Sequence, residues 1–181
     1  HDFILAAGRL TSQKNFSLLL HSYAMAALKT ELWIVGDGPL EAELKSLAIT
    51  LKIDGQVKFL AATDELQVMM KAAKFFVLSS SWEGFGHVLV EAMAAERPII
   101  ATYVSAIPEI VIDKKSGLLI EPNDPKALAD AMCKMLSSKQ REKFGRAGKQ
   151  RALTNFSNEA MSQNFEDFYV IIFKKKRMLA L

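Results

Sequence analysis

The chain has 181 residues, half of them hydrophobic and 24% charged, which suits one domain with a sizeable core and excludes a disordered or fibrous chain. Its apolar runs, such as residues 75–78 and 170–173, fall far short of the ~20 residues of a membrane span. The net charge of +3 is concentrated in Lys174, Lys175, Lys176 and Arg177, so the rest is close to neutral and carries no general nucleic-acid footprint.

Short apolar runs alternate with longer amphipathic ones. Residues 3–7 read as a strand, followed by Phe16, Leu19, Leu20, Tyr23 and Ala27 at helical spacing. Strand 31–35 leads to a helix with Pro39 at its first position and Leu40, Leu44 and Leu47 as its buried stripe. After strand 57–60, Thr63 or Asp64 can cap a helix carrying Leu66, Met69 and Met70. Strand 75–79 precedes a helix over 87–95, and strands 99–101 and 118–120 follow. Asp124-Pro125 opens a fifth helix, after which the pattern is helical almost to the end, with a break near 155–157. The strands are near-continuous in apolar residues, as in a sheet covered on both faces. The alternation predicts a doubly wound parallel α/β sheet over 1–154 and a helical tail over 155–181. The basic stretch Lys139, Arg141, Lys143, Arg146, Lys149 and Arg151 reads as a solvated helix face.

The chain opens on His1, directly before a buried strand, and is expected to be part of a longer protein, with His1 a cloning remnant. Cys133, the single cysteine, shares a helix with Leu128, Met132 and Leu136 and reads as a small core residue. With no internal disulfide and no secretory segment, a reducing cytoplasm is expected.

In open parallel sheets ligands sit beyond the carboxyl ends of the strands, here loops 8–15, 36–39, 61–64, 79–86 and 102–108. In the first, Arg9 and Lys14 read either as surface charges or as two cations converging on one anion, with Gly8 allowing close approach. Gly36-Asp37-Gly38-Pro39 is a tight turn; Glu41 stands where a dinucleotide fingerprint needs glycine. The third, Glu83-Gly84-Phe85-Gly86-His87-Val88 running on to Glu91, is the most specific. Free amides at Gly86, His87 and Val88 would form a helix N-terminus suited to phosphate. Glu83 and Glu91 either favour that N-terminus electrostatically or accept from neutral sugar hydroxyls. A ligand with central phosphates and hydroxyl-rich rings at both ends is a nucleotide-sugar. His87 reads as a spacer rather than a base. Scattered histidines, no HExxH and no DxD give metal little support, so no cofactor is expected. Ser79, Ser80 and Ser81 lack the elbow of a serine hydrolase.

Gly8-Arg9-Leu10 with Lys14-Asn15, Val35-Gly36-Asp37-Gly38-Pro39, Glu83-Gly84-Phe85-Gly86 through Glu91-Ala92-Met93-Ala94, and Ile107-Pro108-Glu109-Ile110 with Ser116-Gly117-Leu118-Leu119 together resemble family 4 glycosyltransferases, from about Ile4 to Met135. The resemblance implies the Rossmann-like, C-terminal half of a GT-B enzyme that transfers a sugar from a nucleotide diphosphate with retention and without metal. A UDP-sugar is favoured over a GDP-sugar, a glycan or lipid-linked molecule is the acceptor, and bacterial surface-glycan synthesis is the setting. By position, Arg9 and Lys14 would hold the diphosphate and stabilise the leaving group. Glu83 would contact the donor sugar beside Phe85 and Gly86, the amides of His87 and Val88 would meet sugar or phosphate oxygens, and Glu91 would accept from the ribose. The base would rest near 57–59, beside Lys58. The missing N-terminal half would bind the acceptor, leaving this piece inactive alone.

Five positions depart from the family pattern: Glu96 and Ala61 stand where glycine is common, Tyr103 where an acid is frequent, and Ser105-Ala106 where Gly-Gly is frequent. The terminal apolar face of Phe165, Phe168, Tyr169, Ile172 and Phe173 would pack on the missing half or on a second copy. The adjacent run from Lys174 to Arg177 reads either as a solvated end or as a contact with anionic lipid at the inner face of the cell membrane. Two rivals share the architecture: a nucleotide-sugar epimerase and a non-catalytic Rossmann-like scaffold.

Overall fold

The computed structural model describes residues 2–179 and, within the last helix, the side chains of residues 158–163, 165, 166, 168, 169 and 172. The side chains of Phe173 and of the basic run at 174–177 lie outside the described residues.

Six strands, β1 (Phe3–Ala7), β2 (Glu31–Val35), β3 (Val57–Leu60), β4 (Phe76–Leu78), β5 (Ile99–Thr102) and β6 (Gly117–Ile120), form one parallel sheet in the order β3-β2-β1-β4-β5-β6. The strands alternate with α1 (Phe16–Ala26), α2 (Glu41–Thr50), α3 (Leu66–Ala72), α4 (His87–Ala94) and the one-turn α5 (Ile107–Ile110). After β6 come α6 (Pro125–Ser137), α7 (Arg141–Asn155) and α8 (Asn158–Leu179). Ile4 and Ala6 of β1 enter the core under α1, α2 and α6, while Phe3, Leu5 and Ala7 enter the opposite core under α3, α4 and α5. Both faces are covered, so a strand with no polar alternation is stable here.

Helix starts differ in two places from the sequence pattern. Pro39 lies in a turn closed by the Glu41 N–H on the Gly38 carbonyl at 3.2 Å, so α2 begins two residues later. Thr63 is no cap: its hydroxyl accepts from the Glu65 N–H at 3.2 Å, and Glu65 occupies the cap position without a side-chain bond. Asp124 does cap α6, accepting from the Ala127 N–H at 2.8 Å. The sequence pattern also missed α5 and the break before α7.

Side chains correct two further expectations. Cys133 is exposed on α6 rather than buried. The basic stretch on α7 is more than a solvated face. Arg141 donates to the Leu136 carbonyl at 3.1 Å, and Arg151 donates to the carbonyls of Ile110 and Glu109. Arg97 likewise joins the Ala95 and Ala73 carbonyls. These cations sit where the helices after β3, β4, β5 and β6 end, at the negative ends of their dipoles.

Glu96 takes the left-handed conformation at φ 62° that glycine would adopt freely. The α4 end keeps both bonds of a Schellman cap, Arg97 N–H to Ala92 at 2.9 Å and Glu96 N–H to Met93 at 2.9 Å. Lys149 pairs with the Glu96 carboxylate at 3.1 Å. Tyr23 is buried and donates to the Thr30 carbonyl at 2.8 Å; burial first, and Glu31 second, push its phenol up to about 12.

Candidate functional site

The sheet order reverses between β1 and β4, and the loops beyond their carboxyl ends open a cleft of about 480 Å³. One wall is Gly8 and Arg9 after β1, a second is Gly36 and Asp37 after β2, a third is Ala62 and Thr63 after β3, and the fourth is the start of α4 with His87, Val88 and Glu91.

The first two walls run in backbone contact. The Gly8 N–H donates to the Val35 carbonyl at 3.0 Å and the Leu10 N–H to the Asp37 carbonyl at 2.9 Å. A Cβ at Gly36 would lie 2.1 Å from the Gly8 oxygen, and one at Gly38 would lie 2.4 Å from the Leu10 oxygen. Glycine at 36 and 38 therefore serves close backbone passage. Asp37 then ties the second wall to the third by accepting from the Ala62 N–H at 3.1 Å.

The fourth wall is held to the first by the three serines after β4. Ser79 reaches the carbonyls of Lys14 and Asn15, both at 3.0 Å. The Ser81 N–H donates to the Gln13 carbonyl at 2.8 Å, and Asn15 donates to the Ser81 hydroxyl at 3.2 Å. Ser80 donates to the Glu83 carboxylate at 2.6 Å. In the sequence these serines are weighed only against a hydrolase motif; the signal for their role is three small hydroxyl side chains directly after a buried strand.

The expected site residues divide into four groups. Gly8, Arg9, His87, Val88 and Glu91 line the cleft. Arg9 is exposed and has no ion-pair partner among the described residues. Gly86 caps α4 at φ 90° without a side chain, so the His87 and Val88 amides have no carbonyl a turn back. Glu91 accepts from Gln67 at 3.5 Å.

Lys14 and Glu83 form the second group, drawn into each other. Lys14 Nζ lies 2.5 Å from Glu83 Oε1, with only 15% and 5% of their side chains exposed. Lys14 is thus a cation shared with a carboxylate rather than a free anion ligand. Phe85 and Gly86 sit just outside the cleft lining; the Phe85 ring packs 5.0 Å from His87 and 5.8 Å from Phe156.

Lys58 stands apart. It pairs with Glu31 at 3.0 Å and lies 5.1 Å from the Trp33 ring centre, within the sheet rather than at the cleft. A neighbouring carboxylate and an aromatic face won its ammonium. The described residues contain no cluster of three or more potential metal-ligating His, Cys, Asp or Glu, and no helix among them is long and apolar enough to cross a membrane.

Residues 1–151 match the family model for glycosyl transferases group 1. The chain is 32% identical over 153 residues to a Campylobacter jejuni enzyme, N-acetylgalactosamine-N,N'-diacetylbacillosaminyl-diphospho-undecaprenol 4-alpha-N-acetylgalactosaminyltransferase, covering 84% of this chain and 41% of that protein. It is 31% identical to N-acetyl-alpha-D-glucosaminyl L-malate synthase of Bacillus anthracis, covering 81% of this chain and 40% of that one. Among solved structures, Anabaena HepE in complex with UDP and glucose superposes with a TM-score of 0.86 at 22% identity, over 93% of this chain and 48% of that one. Sucrose-phosphate synthase from Thermosynechococcus elongatus superposes at 0.83 with 30% identity, over 96% and 46%. The chain spans less than half the length of these relatives.

Proposed function

Because the chain belongs to the group 1 glycosyltransferases, we propose that it is the donor-binding half of an enzyme that moves a sugar from a nucleotide diphosphate to a glycan or lipid-linked acceptor. The observation that carries this reading is the joining, in one cleft at the sheet's reversal point, of an unpaired Arg9, the open amides of α4 and the Glu91 carboxylate. A guanidinium and a helix N-terminus suit a diphosphate; a carboxylate beside them suits ribose hydroxyls. Arg9 holds the diphosphate and stabilises the charge that builds on it as the sugar leaves, with Lys14 adding its charge from beside Glu83. Glu83 meets the donor sugar next to the Phe85 and Gly86 backbone. With Lys58 engaged elsewhere, the base rests against the wall of Ala62, Thr63 and Leu66.

The proposal includes transfer with retention, no metal, a donor domain over 1–154, a tail over 155–181 that crosses to an acceptor-binding half, and work on the cytoplasmic side. This chain alone binds donor but transfers nothing. UDP is the first nucleotide to test, since the HepE crystals hold it. Calorimetric titration with UDP, GDP and ADP, with and without EDTA, tests the reading. UDP binding that survives EDTA and weakens at least tenfold in Arg9→Ala is expected, the loss of one charge-assisted contact being about 1.5–3 kcal/mol. An unchanged UDP affinity in Arg9→Ala refutes it.

A further inference from the structure

Glu83 is fixed by more than its lysine. Ser80, fully buried, donates its hydroxyl to Glu83 Oε1 at 2.6 Å, the oxygen that also takes Lys14 at 2.5 Å. Ser80 is itself held, its carbonyl accepting from the Thr102 hydroxyl at 2.6 Å. No donor among the described residues reaches the second oxygen, Oε2, and no buried polar side-chain atom there lacks a partner. Oε2 is therefore the oxygen left accessible to a ligand.

The main chain of Glu83 is fixed from the next loop. Its N–H donates to the Ser105 hydroxyl at 3.2 Å. Ser105 pays for this contact with a left-handed backbone at φ 47°, which glycine would adopt without strain but without a hydroxyl. A strained serine that supplies an acceptor points to a geometric duty.

We propose that Ser80 and Ser105 are positioning residues for Glu83, anchoring Oε1 and the main chain so that Oε2 accepts from a hydroxyl of the donor sugar. The inference rests on the donor-site reading above. It predicts that both serines govern the affinity added by the sugar and leave that of the nucleotide alone.

The test compares the affinities of this chain for UDP and for UDP-glucose, UDP-galactose and UDP-N-acetylglucosamine, in wild type, Ser80→Ala, Ser80→Thr and Ser105→Gly. Expected are an unchanged UDP affinity, loss of about tenfold in the extra affinity for the best UDP-sugar in Ser80→Ala and Ser105→Gly, and its return in Ser80→Thr. Ser105→Gly should melt no lower than wild type, which separates positioning from a structural role; it also carries the test should Ser80→Ala fail to fold. The proposal is overturned if the sugar increment persists in both variants, if UDP and UDP-sugars weaken equally, or if wild type binds all three sugars no better than UDP. Should wild type bind no nucleotide, the donor-site reading falls, and the ¹³C resonance of the Glu83 carboxyl decides. Its shift in Ser80→Ala and restoration in Ser80→Thr supports the anchoring; no shift overturns it.

Discussion

Gly36→Ala attacks the fold and the cleft at one point. The added Cβ would stand 2.1 Å from the Gly8 carbonyl oxygen and 2.9 Å from its carbon, at a residue with φ 143°. Neither contact is relieved by rotating a side chain, since both partners are backbone. Alanine in that conformation costs about 1–3 kcal/mol. Separating the two loops also breaks the bonds from Gly8 to Val35 and from Leu10 to Asp37, about 0.5–1.5 kcal/mol each. The total of about 2–6 kcal/mol is a large share of the roughly 5–15 kcal/mol that holds a domain folded. Urea unfolding reads it: the midpoint should fall by about 1 M or more with an unchanged slope. Gly55→Ala is the control, because a Cβ there meets nothing within 4 Å and stability should stay within about 0.5 kcal/mol. A Gly36→Ala protein within 1 kcal/mol of wild type, on the scale of ordinary substitutions, would show that the loops do not need this close passage.

Lys14→Met leaves the buried Glu83 carboxylate with only the Ser80 hydroxyl and should destabilise by about 3–5 kcal/mol. Adding Glu83→Gln should restore part of that loss, and strict additivity in the double-mutant cycle sinks the claim that the two are coupled. Tyr23 gives a pH signature. Its folded phenol titrates near 12 against an ordinary 10.0, so the unfolded chain releases the proton first as pH rises. The tyrosine's contribution is complete below pH 10 and is lost between pH 10 and about 12. Wild type should lose stability relative to Tyr23→Phe across that window, as followed by denaturant midpoints; parallel curves would contradict the burial argument.

Element type and order were legible because they rest on near-neighbour physics. Strand 3–7 is apolar throughout, Asp124-Pro125 is a cap followed by a fixed φ, and Gly8, Gly36 and Gly86 mark where the chain leaves a strand or enters a helix. The cleft could be placed from these alone, since its walls are the loops after successive parallel strands, and Arg9, His87, Val88 and Glu91 do line it. Side-chain partnership was not legible, because it depends on which loops meet. Lys14 finds Glu83 across 69 positions, Ser105 finds Glu83 across 22, and Lys58 turns to Glu31 on the neighbouring strand. Sequence determined the scaffold and the address of the site, through local backbone preference and apolar periodicity. Tertiary structure decided which charges stay free there, because a cation's partner is whatever carboxylate or carbonyl the fold brings within a few ångströms.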